Sequence, residues 1–226
     1  MKITSLFEVP SDAPQTFGGP NAKIIRIEGS DGADNFHFKS YGNNKVAVEI
    51  NGESFPLPME NADGGPPKIQ LLTKSGDDNV IIDADVFPKI TIESYSGNNT
   101  IQTGGGAAAV HTGYGMDNIT LGPGGGTATS KGGNNTLTTG TGTRHLVSLG
   151  SGKNTVYTAS NAPNSRTSIS SRGELDTLHL ASGNNSVTSK AGIAVIHETG
   201  GKNEFAYVKG SGQILGIDND RLRVIE

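Results

Sequence analysis

The side chains that could do chemistry in this 226-residue chain are five histidines and a scatter of carboxylates. The histidines are His37, His111, His145, His179 and His197. His197-Glu198 opens like the helix of a zinc protease, but Gly201 stands where the second histidine would be, so the motif fails. Gly150-Ser151-Gly152-Lys153 looks like a phosphate loop only superficially. The first glycine is missing, and Asn154 replaces the Ser or Thr that would hold magnesium. Asp31 with Asp34, and Asp77 with Asp78, are carboxylate pairs in glycine-rich turns; they are the candidate metal ligands, and hard oxygen donors of this kind suit Ca²⁺. Charges of both signs gather over 160–181, in Arg166, Arg172, Glu174, Asp176 and His179. A binding surface, or a polysaccharide lyase or hydrolase site, would lie there. No convergent set of Asp residues with an Arg or Lys base is legible, so the chain reads as no enzyme.

The elements that must position these residues are set by a count of nine. From Ser96 the chain divides into SGNNTIQTG, GGAAAVHTG, YGMDNITLG and PGGGTATSK. The sixth place of successive blocks holds Ile101, Val110, Ile119, Ala128, Leu137, Leu146, Val156, Val187, Ile196, Phe205 and Ile214, an apolar column throughout. Glycine takes the positive φ of a tight turn, and Asn and Asp tolerate it better than other side chains do. The early places of each block therefore make a turn, and segments such as NTIQT alternate as a short strand. Two blocks, about 18 residues, make one coil of an all-β, right-handed parallel β-solenoid, a β-roll or β-helix. The fourth place of alternate blocks stacks an Asx ladder, read as Asp78, Asn99, Asp117, Asn135, Asn154, Asn185 and Asn203. Neighbours roughly 4.8 Å apart along the axis can hydrogen-bond to one another. With the sixth place inward, the fifth and seventh point outward. That puts His111, His145 and His197 on the outer surface. It also gives an outer Thr face from Thr100, Thr136, Thr155, Thr120, Thr138 and Thr188, the pattern an ice-binding face would need.

The count extends to the front of the chain, where KIIRIEGSDGADNF, KIQLLTKSGDDNV and KITIESYSGNNT align. Residues 1–22 read as a flexible arm and candidate export signal, and residues 23–217 as the solenoid. Within the solenoid, 44–67 is a hairpin insertion turned by Asn51-Gly52 that caps the N-terminal end. The stretch 160–181 breaks the count and reads as a side bulge, and 218–226 as a C-terminal cap strand. A formal charge of −4 with no basic stripe argues against nucleic acid. No run approaches the length of a membrane span, and the absence of Cys excludes disulfides.

The blocks resemble the glycine-rich nonapeptide repeats of the RTX (hemolysin-type) family. Thr112-Gly113-Tyr114-Gly115-Met116-Asp117-Asn118-Ile119-Thr120 carries the pattern apart from its first glycine. The resemblance implies a parallel β-roll, Ca²⁺ held in the turns, and export from a Gram-negative bacterium by a non-Sec route, type I or type III. Asn in place of Asp along the column degenerates those calcium sites. The expected function is a non-catalytic structural or binding module of a secreted virulence effector or adhesin, largely calcium-independent. Its partner would be a host or surface macromolecule, protein or glycan, and the chain itself a monomer or an end-to-end oligomer.

Overall fold

A computed structural model describes residues 24–42, 45–57, 67–159, 166–218 and 221–226. The arm expected at 1–22 lies outside the described residues, as do 58–66 of the insertion and 160–165. In chain order the first strands are β1 (Ile24–Glu28), β2 (Asn35–Ser40), β3 (Val46–Ile50), β4 (Glu53–Leu57), β5 (Lys68–Ser75), β6 (Asn79–Ile82) and β7 (Ile90–Ser96). They continue as β8 (Thr100–Gln102), β9 (Ala108–Tyr114), β10 (Asn118–Thr120), β11 (Gly126–Gly132), β12 (Thr136–Thr138), β13 (Arg144–Ser148) and β14 (Thr155–Tyr157). The last are β15 (Arg166–Ser171), β16 (Leu175–Leu180), β17 (Asn184–Ser189), β18 (Gly192–Glu198), β19 (Glu204–Val208), β20 (Gly212–Leu215) and β21 (Leu222–Ile225).

Two sheets face each other. Sheet A runs β1-β5-β7-β9-β11-β13-β15-β17-β19-β21, and sheet B runs β20-β18-β16-β14-β12-β10-β8-β6-β2-β3-β4. Every neighbouring pair is parallel except β2–β3 and β3–β4. The chain therefore alternates between sheets and climbs one strand spacing per coil, as a β-solenoid of about 18 residues per turn. In sheet A the inward line runs Ile27, Leu71, Ile92, Val110, Ala128, Val147, Ile169, Val187 and Phe205. Sheet B opposes it with Phe36, Val80, Ile101, Ile119, Leu137, Val156, Leu178 and Ile196, and all of these are buried in one cluster.

The N-terminal end is covered. Asn51 (φ 51°) and Gly52 (φ 88°) both take the left-handed conformation that a two-residue hairpin turn requires, so β3 and β4 fold back antiparallel onto β2. Val46, Val48, Ile50 and Leu57 join the same core as Ile25 and Ile27. Pro56 lies in the outermost strand, where a missing N–H discourages further pairing.

Three expectations are corrected by the register. The stretch 160–181 is not a side bulge on a half-coil. Its described part forms β15 and β16, which pair in both sheets, so it belongs to a complete coil in which Asn154 and Asp176 are 22 residues apart. His145 does not point outward: it is 1% exposed, whereas Leu146 is 48% exposed. The block 141–150 has ten residues, and its extra residue falls before the strand rather than after it, so Val147 takes the inward place. Finally, β21 pairs parallel with β19 and continues sheet A instead of capping the end.

Candidate functional site

The Asx residues lie on the turn that leads into sheet B. In each, the side-chain Oδ1 accepts the backbone N–H of the Asx one coil earlier. The series is Asp34 N–H to Asp78 (3.0 Å), Asp78 to Asn99 (3.2 Å), Asn99 to Asp117 (3.0 Å) and Asp117 to Asn135 (2.9 Å). It continues from Asn135 to Asn154 (3.2 Å) and from Asn154 to Asp176 (2.9 Å). The carboxamides add a second bond: Nδ2 of Asn99, Asn135 and Asn154 donates to Oδ1 of Asp117, Asn154 and Asp176 respectively. At the N-terminal end the hairpin residue Asn51 donates to Asp34 Oδ1 at 2.7 Å, tying the cap to the ladder.

A hydroxyl five residues earlier completes three of the rungs. Asn99 Nδ2 donates to Ser94 Oγ at 3.0 Å and Asn135 Nδ2 to Ser130 Oγ at 2.9 Å, while Ser171 Oγ donates to Asp176 Oδ2. Asn154 has Leu149 at that position, and its amide turns instead to the Gly150 carbonyl. The turn tolerates no side chain at its glycines. At Gly133 φ is +101°, and a Cβ would stand 1.7 Å from the Gly115 carbonyl oxygen of the coil above.

The carboxylates of the ladder are not equivalent. Burial works against the charge on Asp34, but the Asn51 amide and the Ser30 N–H and hydroxyl outweigh it and hold the group below the usual 3.8. Burial pushes Asp78 up to about 6, against the smaller opposing pull of the Thr73 hydroxyl and the Asp34 N–H, with the neighbouring Asp34 and Asp77 carboxylates adding to the rise. Asp78 Oδ2 and Thr73 Oγ1 are both buried and interact only weakly, since neither makes a well-formed hydrogen bond among the described residues.

On the outer face of sheet B stands a different array. Tyr157, His179 and His197 are register partners on β14, β16 and β18. The first two rings stack at 4.7 Å with their planes 5° apart, and the second pair at 5.0 Å and 16°. On the far side Tyr157 is in register with Thr138, and Thr138 with Thr120, so among the described residues no second ring stacks on that face. A parallel outward line holds Thr100, Asn118, Thr136, Thr155 and Thr177. Along the ring edges runs a shallow open groove, floored by Thr158, Ala181 and Thr199 and ended by Glu198. The Arg221 guanidinium holds the Glu198 carboxyl below its ordinary range against burial, with the Asn203 amide helping.

The residues singled out by sequence are placed as follows. Asp78, Asn99, Asp117, Asn135 and Asn154 stand on the sheet B ladder, whereas Asn185 and Asn203 do not. These two are in register on β17 and beside β19, at the opposite edge, where Asn185 N–H and Nδ2 donate to Asn203 Oδ1 at 3.2 and 2.9 Å. The cause is the complete coil at 160–181, which moves everything after it by half a turn; Thr188 likewise belongs to sheet A. Of the cation candidates, Asp34 and Asp78 are ladder rungs, Asp31 is exposed, and Asp77 accepts the Asn98 N–H at 2.7 Å. Among the described residues no three His, Asp or Glu side chains gather as a metal site. The charged set of 160–181 is dispersed. Arg166 pairs with Glu204, Arg172 and Glu174 are exposed in a turn, Asp176 is a buried rung, and His179 is the middle ring of the outer stack.

Sequence reasoning missed Asp34, Asp176 and Asn51 as members of the ladder. The signal was present in the hydroxyl five places before an Asx, which Ser171 and Asp176 share with Ser94/Asn99 and Ser130/Asn135. Compared with known protein families, curated proteins and solved structures, the chain gives no match in any of the three. Among the described residues no helix is long and apolar enough to cross a membrane.

Proposed function

We propose that this chain is a non-catalytic binding module, a rigid solenoid that presents the outer face of sheet B to a surface glycan. The observation that carries the reading is the Tyr157–His179–His197 stack. An aromatic face suits the C–H side of a sugar ring, and among the described residues Tyr157 carries a stacked ring on one face only, with Thr138 on the other side. The ring nitrogens, the phenol and the adjacent Thr hydroxyls supply donors and acceptors at the repeat of the strands, and such a regular row suits an extended chain of linked sugars. Similarity of the nine-residue blocks to RTX repeats supports an exported bacterial protein, secreted by a type I or type III route, as the setting.

In this reading the coils hold without calcium. Each Oδ1 of the ladder already accepts an N–H. The second oxygens of Asp78 and Asp117, which make no well-formed hydrogen bond among the described residues, stand in non-adjacent coils, too few to supply the roughly six to eight oxygens of a calcium ion. The test is titration of a panel of soluble oligosaccharides into EDTA-treated protein, followed by NMR. At least one sugar should shift resonances of Tyr157 and His179, and Tyr157→Ala should weaken its binding on the order of tenfold. Absence of binding across the panel, or binding indifferent to Tyr157→Ala and His179→Ala, would refute the proposal.

A further inference from the structure

The two ends of the solenoid are finished differently. At the N-terminal end β3 and β4 cover the core, and inward-facing Ile25 and Ile27 are buried. At the C-terminal end β20 is the last strand of sheet B and β21 the last of sheet A, so sheet A projects one strand further. Val224 is in register with Tyr207 and points inward with Leu222, yet it is 47% exposed, because among the described residues no strand of sheet B stands opposite it. Ile193, Tyr207, Ile214 and Leu222 line an open cleft there. Among the described residues nothing lids the core at this end and two strand edges stand unpaired, the situation that solenoids normally close with a cap.

We infer that this end is closed by a second copy of the same chain, through a twofold axis parallel to the strands. That rotation exchanges the two sheets. It sets β21 of one protomer beside β20 of its partner, and β20 beside the partner's β21, both antiparallel. The one-strand step then fits its own copy without a gap, so both sheets run continuously through the junction. Each β21 also becomes the missing wall opposite the other, and the Leu222 and Val224 side chains of the two copies meet across the core, where facing sheets lie about 10 Å apart. A twofold that kept sheet A on sheet A would pair β21 with its own copy and leave a gap in sheet B.

Charge agrees with this arrangement. Antiparallel pairing brings the start of β21, with Arg223, beside the end of β20, with Asp218. It brings Glu226 beside Lys209. All four side chains are exposed and form no ion pair among the described residues. The closed interface is isologous, as twofold contacts must be.

Sedimentation equilibrium of the whole chain tests the inference. The expected mass is twice 23.3 kDa. Val224→Asp should give a monomer with unchanged circular dichroism, since Val224 is half exposed in one copy alone. Arg223→Asp should weaken association tenfold or more, and adding Asp218→Arg to it should restore the dimer. Ser54→Arg, in β4 at the opposite end, should have no effect. A monomer at every concentration overturns the inference, as does a dimer that survives Val224→Asp or is broken by Ser54→Arg. Sugar binding is read on a different face, so failure of the glycan reading would leave this result unaffected.

Discussion

Replacing Asp78 by Asn should stabilise the protein at neutral pH and leave it nearly unchanged at about pH 4. Asp78 is 2% exposed, and its carboxyl titrates at about 6 in the folded chain against 3.8 for a free side chain. A group whose folded value is raised holds its proton more tightly in the native state. Its contribution is fully present below 3.8, falls as the unfolded chain ionises, and has been lost once the pH passes about 6. At 1.36 kcal/mol for each tenfold, the charge on Asp78 costs about 3 kcal/mol at pH 7. Asn keeps the Oδ1 that accepts the Asp34 N–H and puts an amide donor where Oδ2 faces Thr73, copying the Asn99–Ser94 and Asn135–Ser130 rungs. Desolvation of that amide offsets part of the gain, so the expected increase is about 1–3 kcal/mol. Urea unfolding followed by circular dichroism, on wild type and variant in parallel from about pH 4 to about pH 8, reads the difference directly. A variant that is less stable at neutral pH, or a difference that does not grow between about pH 4 and pH 6, would refute the reasoning.

Burial lowers the value of His145, against a smaller opposing pull from the Gly140 backbone, and neither ring nitrogen makes a well-formed hydrogen bond among the described residues. The sign is opposite to that of Asp78: the unfolded chain takes up the proton first, so stability is complete above 6.5 and declines as the pH falls below it. His145→Gln should flatten that decline in urea titrations from pH 7 to about pH 5, and an unaltered slope would rule the residue out. Asn135→Ala leaves the buried Asp117 N–H and the Asn154 Oδ1 each short of a partner and should cost about 2–4 kcal/mol, whereas Asn134→Ala, on the exposed turn, should cost under about 1 kcal/mol. Gly133→Ala adds a Cβ against the Gly115 carbonyl in a left-handed conformation and should lower stability by more than about 2 kcal/mol; a neutral result in thermal melts would mean the stacked turns can separate.

The two columns of this fold are legible in the chain to different degrees, and the difference has a physical cause. A period survives in sequence where the same demand returns every coil. The glycine of the turn must clear the carbonyl above it, and the inward strand residue must fill the same narrow space between sheets. Ile101, Ile119, Leu137 and Val156 can therefore be counted out along the chain by their spacing alone. The ladder makes a weaker demand, because it asks only for an oxygen that accepts an N–H. Asp and Asn both provide one, so the chain mixes them, and past Asp78 no two carboxylates stand on adjacent coils of this ladder. Asn99 separates Asp78 from Asp117 and spares neighbouring carboxylates a spacing of roughly 4.8 Å. At Asp34 and Asp78 that separation fails, and there the carboxyl of Asp78 is pushed up to about 6.

What cannot be counted is phase. One extra residue in 141–150 and a lengthened coil at 160–181 leave every local pattern intact while moving later residues to the other sheet. A strand of period two looks the same after such a shift, so the count turns His145 outward and sets Asn185 on the wrong edge. Only the pairing of strands distant in sequence fixes the phase, and the same pairing creates the outer ring stack. Tyr157, His179 and His197 share no motif, and although His179 and His197 stand one 18-residue coil apart, the 22 residues from Tyr157 to His179 break the count. They meet because the register of β14, β16 and β18 is kept although these two intervals differ. The irregular coils are thus where this solenoid departs from its own repeat to build something that the repeat cannot supply.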